Sequence, residues 1–280
     1  MTMLSINTNV GALKAAQASY SVNKSMETSM ERLSTGKRVN SAHDDAAGLA
    51  IATRLNAEIR GINQSIKNAA DAHSMLATAE GALVEVNSIL LRMREIAVQS
   101  ANETVDNADR KNLQSEVTQL EAEIQRIVDD TTWAGITLLA GTKFTTGATF
   151  QIGPRNSDGT SMSISAIEPL STIAKGGLNL NSHVTVQATA AAYIADIDKA
   201  ISIINQDRAK YGAFMNRLDH AVSSLQHTAT NLALSKGRIE DADFAAESSN
   251  LARTQVLQQA SMAMLAQANA SKQNILSLFQ

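Results

Sequence analysis

The chain contains no cysteine among its 280 residues. Disulfides, thiolate metal sites and thiol nucleophiles are thereby excluded together. Proline is nearly absent, with only Pro154 and Pro169, so nothing on either side of that window forbids long helix. Aromatic residues make up 3%, with Trp133 the one tryptophan, against a hydrophobic share of 44%. Any core must therefore be built from Ala, Leu, Ile, Val and Met, which suits closely packed helices better than a bulky globular interior. Charge of one sign is also lacking: the net charge is −3 and the basic residues are scattered, which argues against a nucleic-acid partner. No stretch reaches the roughly 18 uninterrupted apolar residues of a membrane span. The start, MTMLSINTNVGALKAAQ, lacks the basic opening and apolar block of a cleaved signal peptide. A soluble chain with no membrane partner is expected, and any route out of the cell is expected to need no cleaved signal.

What is present is periodicity. Leu55, Ile59, Ile62, Ile66 and Ala69 step 4-3-4-3, and the stripe resumes as Leu83, Val86, Leu90, Met93 and Ala97. Leu113, Val117, Leu120, Ile124 and Ile127 form a second stripe. The third runs from Ile194 through Ile197, Ile201, Ile204, Tyr211, Met215 and Leu218 to Ile239, broken by Arg208 and Lys236. A 3.5-residue repeat sustained this long implies helices packed along most of their length. One helix from Asp44 to about Ser100 would span roughly 85 Å at about 1.5 Å per residue. Between about 133 and 187 the pattern gives way to Thr, Ser and Gly with alternation such as SMSISAI, which reads as a β-rich excursion with GPRNSDGT as a turn.

The expected fold is therefore mainly α: a long antiparallel helical rod, coiled-coil-like, with a small β-rich tip and terminal helices paired at the other end. The expected divisions are 1–43 for an N-terminal helix and hinge, 44–235 for the rod, and 236–280 for a C-terminal helix. In the hinge STGKRVNSAHDD, Asp44 or Asp45 is placed to cap the next helix.

The ends are unusually apolar. Leu4, Ile6, Val10, Leu13, Val22, Met26, Met30 and Leu33 give one amphipathic helix. Leu251, Val256, Leu257, Met262, Met264 and Leu265 give its counterpart, which runs on to Ile275, Leu276, Leu278 and Phe279. Terminal residues usually fray into polar ones unless tied down. Burying one large aliphatic side chain contributes roughly 1.5–3 kcal/mol, and ordering a residue costs about 1–2 kcal/mol of backbone entropy. Two thin helices meeting only each other bury one stripe apiece, so these residues are expected to find cover on neighbouring copies of the chain.

Sites of chemistry are scarce. STGKR has neither the upstream glycine nor the Ser/Thr after lysine that a phosphate loop needs. His220 and His227 lie seven apart, about 10 Å along a helix, too far to share one metal. Asp241 and Asp243 read as residues of a helix start. No cofactor, metal or catalytic residue is assigned, and the chain is read as not an enzyme.

Three long segments carry a resemblance. ERLSTGKRVNSAHDDAAGLAIATRL resembles the N-terminal signature of bacterial flagellins, LRMREIAVQSAN the segment after their first long helix, and RIEDADFAAESSNLARTQVLQQASMAMLAQAN with ILSLFQ their C-terminal signature. Together they cover about 1–143 and 190–280. The proline usual near the flagellin end is replaced within NASKQNILSLFQ, where Ser271 and Lys272 stand. The middle is too short for large outer variable domains.

The resemblance implies a filament subunit that polymerises through its terminal and rod helices. It implies export in unfolded form through the flagellar channel and addition at the distal tip. It further implies an export chaperone, a filament cap and hook-junction proteins as partners. Flagellins of the enteric type engage the flagellin-sensing Toll-like receptor of animals, and Arg92, Glu95 and Glu116 match that pattern, with Ile96 in place of the usual Leu. The alternatives are a hook–filament junction protein, or a soluble coiled-coil scaffold that would explain the heptads but not the apolar ends.

Overall fold

The structure is a computed structural model. It describes residues 8–140, 148–154, 161–163, 178, 180 and 183–277, with the backbone alone over 272–277. Among the described residues are five helices: α1 (Val10–Thr35), α2 (Ala46–Ser100), α3 (Asn107–Asp130), α4 (Gln187–Glu240) and α5 (Phe244–Ser277). Two short antiparallel pairs join them, β1 (Thr132–Trp133) with β2 (Ile136–Thr137) and β3 (Thr149–Gln151) with β4 (Ser161–Ser163). The fold is mainly α with a small β-rich insertion, as the periodicity implied. The chain divides into two compact units, Glu58–Ala229, and Met1–Ala57 with Thr230–Gln280.

In the first of these units the apolar stripes meet. Leu83, Val86, Leu90 and Met93 of α2, Val117 and Ile124 of α3, and Ile197, Ile204, Tyr211 and Leu218 of α4 all belong to one buried core. By length and composition alone α2 could cross a membrane. Its apolarity is accounted for by this core, and its outer face carries Lys67, Arg92, Arg94 and Glu95. The break in the third stripe at Arg208 is resolved by Glu80 of α2, whose carboxylate accepts from the guanidinium at 2.9 Å. The α2–α3 turn is held by Arg110, which is buried and donates to the Ser100 and Asn102 carbonyls, each at 3.0 Å. A cation at these orphan carbonyls also opposes the negative end of the α2 dipole.

The first hairpin turns on Ala134 and Gly135 with φ of 48° and 80°. A two-residue turn with both centres left-handed matches the twist of the strands it joins. In the second, Phe150 pairs with Met162, and Phe150 lies 6.0 Å from Phe214 between ring centroids. Gly61 of α2 lets this segment approach, because a Cβ there would sit 2.9 Å from the Pro154 Cβ. Most of the turn GPRNSDGT and the later part of SMSISAI lie outside the described residues.

Candidate assembly surface and its hinge

The second unit is built on the pairing of α1 with α5, and its interior differs in kind. Among its described residues the buried apolar side chains are Val39 and Ala52. On the two terminal helices the buried residues are instead Ser19 and Ser29 of α1 and Glu247 and Thr254 of α5. Arg32 approaches Glu247 at 3.7 Å. Asn9 caps α1 by accepting from Ala12 N at 3.0 Å, and its amide donates to the Ala268 carbonyl at 3.1 Å. The helices thus meet along a seam of small and polar side chains.

Their large apolar side chains face outward. Val10, Leu13 and Met30 of α1 and Val256, Leu257 and Met264 of α5 are exposed. Val22, Met26, Leu33, Leu251 and Leu265 are half-buried. Tyr20, Phe244 and Met262 join the exposed set, and the first two were missed in the sequence. Their rarity was the available signal, since large aromatics in a chain this poor in them seldom stand on a wet face without use. Between the helices lies an open groove of about 500 Å³, lined by Gly11, Ala15, Ala18, Leu257, Ala260 and Met264 among others. Of the other sequence candidates, Leu4, Ile6, Leu278 and Phe279 lie outside the described residues, and for Ile275 and Leu276 only the helical backbone is described.

The same unit contains the hinge, where two segments about 200 positions apart in the chain are clasped. Gly36, at φ 70°, ends α1 in the left-handed region that favours glycine. Past it, Arg38 N donates to the Glu240 carbonyl at 2.7 Å and Ala242 N to the Gly36 carbonyl at 3.0 Å. The Lys37 ammonium donates to the Glu240 carboxylate, and Lys236 stands 3.5 Å from it. The Lys37 bond holds the Glu240 carboxyl below its ordinary pKa.

Asp44 and Asp45 take separate tasks. Asp44 Oδ2 accepts from the backbone N–H of Ser41 and Asn40, at 2.9 and 3.1 Å, and these bonds lower its pKa. Asp45 Oδ1 accepts from Gly48 N at 2.8 Å and caps α2. Asp243 caps α5 in the same way, accepting from Ala245 N at 2.9 Å.

The candidate receptor-binding residues lie on α2 and α3 of the other unit. Arg92 donates to Glu116 at 2.9 Å and to Glu95 at 3.1 Å, and all three side chains are largely solvent-exposed. Ile96 departs from the expectation of an aliphatic contact beside Arg92. It is fully buried, because it falls on the inward stripe of α2 with Met93 and Ala97. The exposed aliphatic side chains near Arg92 along the helix are Leu91 and Val98.

Comparison with known proteins gives one answer along the whole chain. Residues 6–144 match the model of the bacterial flagellin N-terminal helical region, and residues 194–279 that of the C-terminal helical region. A flagellin of Halalkalibacterium halodurans is 40% identical over 278 residues, covering 98% of this chain and 99% of its own. A flagellin of Bacillus subtilis is 39% identical over 302 residues, with the same coverages. Among solved structures, a putative flagellar hook-associated protein from Vibrio parahaemolyticus aligns with a TM-score of 0.60 at 19% identity, covering 71% of this chain and 100% of its own. That last likeness is one of fold alone.

Proposed function

The chain belongs to the bacterial flagellin family, and from that premise we propose that it polymerises through the outward apolar faces of α1 and α5. As a flagellin it is a structural subunit of the flagellar filament, an extracellular homopolymer, and not an enzyme. The observation that carries the proposal is the inverted amphipathicity of the terminal pair. Its seam is small and polar, while Val10, Leu13, Met30, Val256, Leu257 and Met264 among its large apolar residues are uncovered. Each such residue contributes roughly 1.5–3 kcal/mol when a neighbour buries it.

In this reading residues 1–43 and 236–280 form the inner layer, and 44–235 the layer around it. Leu4, Ile6, Ile275, Leu276, Leu278 and Phe279 are assigned to contacts between subunits. The subunit is exported unfolded, its C-terminal helix is covered by an export chaperone in transit, and it meets cap and hook-junction proteins at the filament's ends. The test is to seed purified monomer with short filament fragments, beside a copy truncated after Ala270, and to follow pelleting and negative-stain images. Long filaments from the full chain and none from the truncation are expected. Short caps on the seeds from the intact chain would favour a junction protein instead.

We further propose that the Arg92, Glu95 and Glu116 cluster is the surface offered to the flagellin-sensing Toll-like receptor. An exposed arginine already oriented by two carboxylates suits a binding anchor, because less side-chain freedom is lost on contact. In a receptor reporter assay Arg92→Ala is expected to lose activity by about ten-fold or more, as truncating a hot spot does. An unchanged response would remove these positions from the site.

A further inference from the structure

Of the ten methionines of the chain, three described ones are buried and three stand exposed, while Met26 and Met215 are half-buried. In the Glu58–Ala229 unit, Met75, Met93 and Met162 are buried, with exposures of 7%, 0% and 9%. In the unit of the terminal helices, Met30, Met262 and Met264 stand open at 48%, 56% and 65%. Met264 also lines the groove between α1 and α5, whose wall is mostly Gly, Ala and Leu. A thioether is a soft nucleophile that needs neither base nor metal to react with a peroxide, so access decides which methionines react.

We infer that Met30, Met262 and Met264 are three separate oxidation-sensitive positions whose modification controls assembly, the free subunit being vulnerable and the filament protected. The reaction balances without another participant. The sulfur lone pair attacks one oxygen of hydrogen peroxide, the O–O bond breaks, and an S=O bond forms as water leaves. Sulfur loses two electrons and the peroxide gains them. The product is a polar, chiral sulfoxide where a flexible apolar side chain stood. On a solvated helix this changes little. Against an apolar neighbour the sulfoxide oxygen must be buried without a donor, which is expected to weaken each such contact by about ten- to a hundred-fold. The inference rests on the proposed burial of these helix faces between subunits.

The test uses the full chain. Monomer is treated with hydrogen peroxide, sulfoxide is located by peptide mass spectrometry, and elongation of untreated seeds is measured. Met30, Met262 and Met264 are expected to oxidise well ahead of Met75, Met93 and Met162, and elongation is expected to fall by about ten-fold or more. A mixture of the two methionine sulfoxide reductases is expected to restore it, since each enzyme acts on one epimer. Preformed filaments are expected to resist the same treatment at these three positions.

The combined variant Met30→Leu, Met262→Leu, Met264→Leu lacks these three thioethers, and the ratio of its elongation rate after peroxide to its own rate before is expected to stay near one, whatever that starting rate is. Equal oxidation rates at exposed and buried methionines would overturn the inference. So would normal elongation by oxidised monomer, or a leucine variant that peroxide still inactivates. Untreated monomer that failed to elongate seeds would instead strike the filament reading itself.

Discussion

Two buried tyrosines on α4 make opposite forecasts from the same substitution. Both rings are fully buried in the core of the Glu58–Ala229 unit. The Tyr193 hydroxyl donates to Glu121 Oε1 at 2.7 Å. Among the described residues the Tyr211 hydroxyl has no hydrogen-bond partner, and neither has the nearby Asp207 Oδ2, while Asp207 Oδ1 is held by Lys210 at 2.8 Å. Burial raises both phenol pKa values, with Glu121 adding to the effect at Tyr193 and Asp207 at Tyr211, so both hydroxyls stay protonated at any ordinary pH. Tyr193→Phe removes a hydrogen bond to a half-buried carboxylate and is expected to cost about 1–2 kcal/mol. Tyr211→Phe removes a hydroxyl whose desolvation no described residue offsets, and is expected to be neutral or to stabilise by about 1 kcal/mol. The assay is urea unfolding of dilute monomer at pH 7, followed by far-ultraviolet circular dichroism, with the midpoints compared at unchanged slope. If Tyr211→Phe lost as much stability as Tyr193→Phe, its hydroxyl would have a partner, and the reasoning would fail.

Two further predictions concern the hinge. A Cβ at Gly48 would stand 2.3 Å from Asp45 Oδ2 and displace the cap. Gly48→Ala is therefore expected to destabilise α2 by about 1 kcal/mol, although the same change in an open helix stabilises by a similar amount. In an Asp45→Ala background its sign is expected to reverse, and additive melting shifts in the double variant would count against the clash. Asp44 and Glu240 both have lowered pKa values, the first through backbone N–H bonds from Ser41 and Asn40, the second through Lys37. Their stabilisation is present above the ordinary carboxylate pKa and is lost as pH falls through the lower folded values. Amide NMR shifts of Asn40 and Ser41 are expected to inflect below about pH 3.9, the free aspartate value, and an inflection above it would refute the assignment.

The packed core was legible because its signal is periodic. Leu83, Val86, Leu90 and Met93 follow one spacing in the sequence and one buried face in the structure. The hinge was half legible: an acidic pair before a helix announces a cap, but the clasp of Lys37 on Glu240 joins residues some 200 positions apart, and no local pattern encodes that. Ile96 shows where resemblance and periodicity disagree. Its position matched a surface motif, yet it keeps step with Met93 and Ala97, and the structure buries it. Hydrophobic spacing is tied to burial by the helix itself, whereas a motif carries a role only as far as the local surface is kept.

The C-terminal helix departs from the single amphipathic face expected of it, for a physical reason. A helix covered along one face repeats its apolar residues at 3.5 to 3.6 positions. On α5, Val256 and Leu257 are adjacent, and Met262 and Met264 are two apart, yet all four are exposed. At about 100° per residue these pairs point about 100° and 200° apart around the axis. A single partner helix cannot cover both members of the second pair. A closed dimer needs only one self-complementary patch, whereas an open helical polymer needs at least two different patches that meet head to tail. Apolar residues on several faces of one helix, with a small polar seam spent on α1, fit the second case and supply a helix that neighbours can enclose from more than one side.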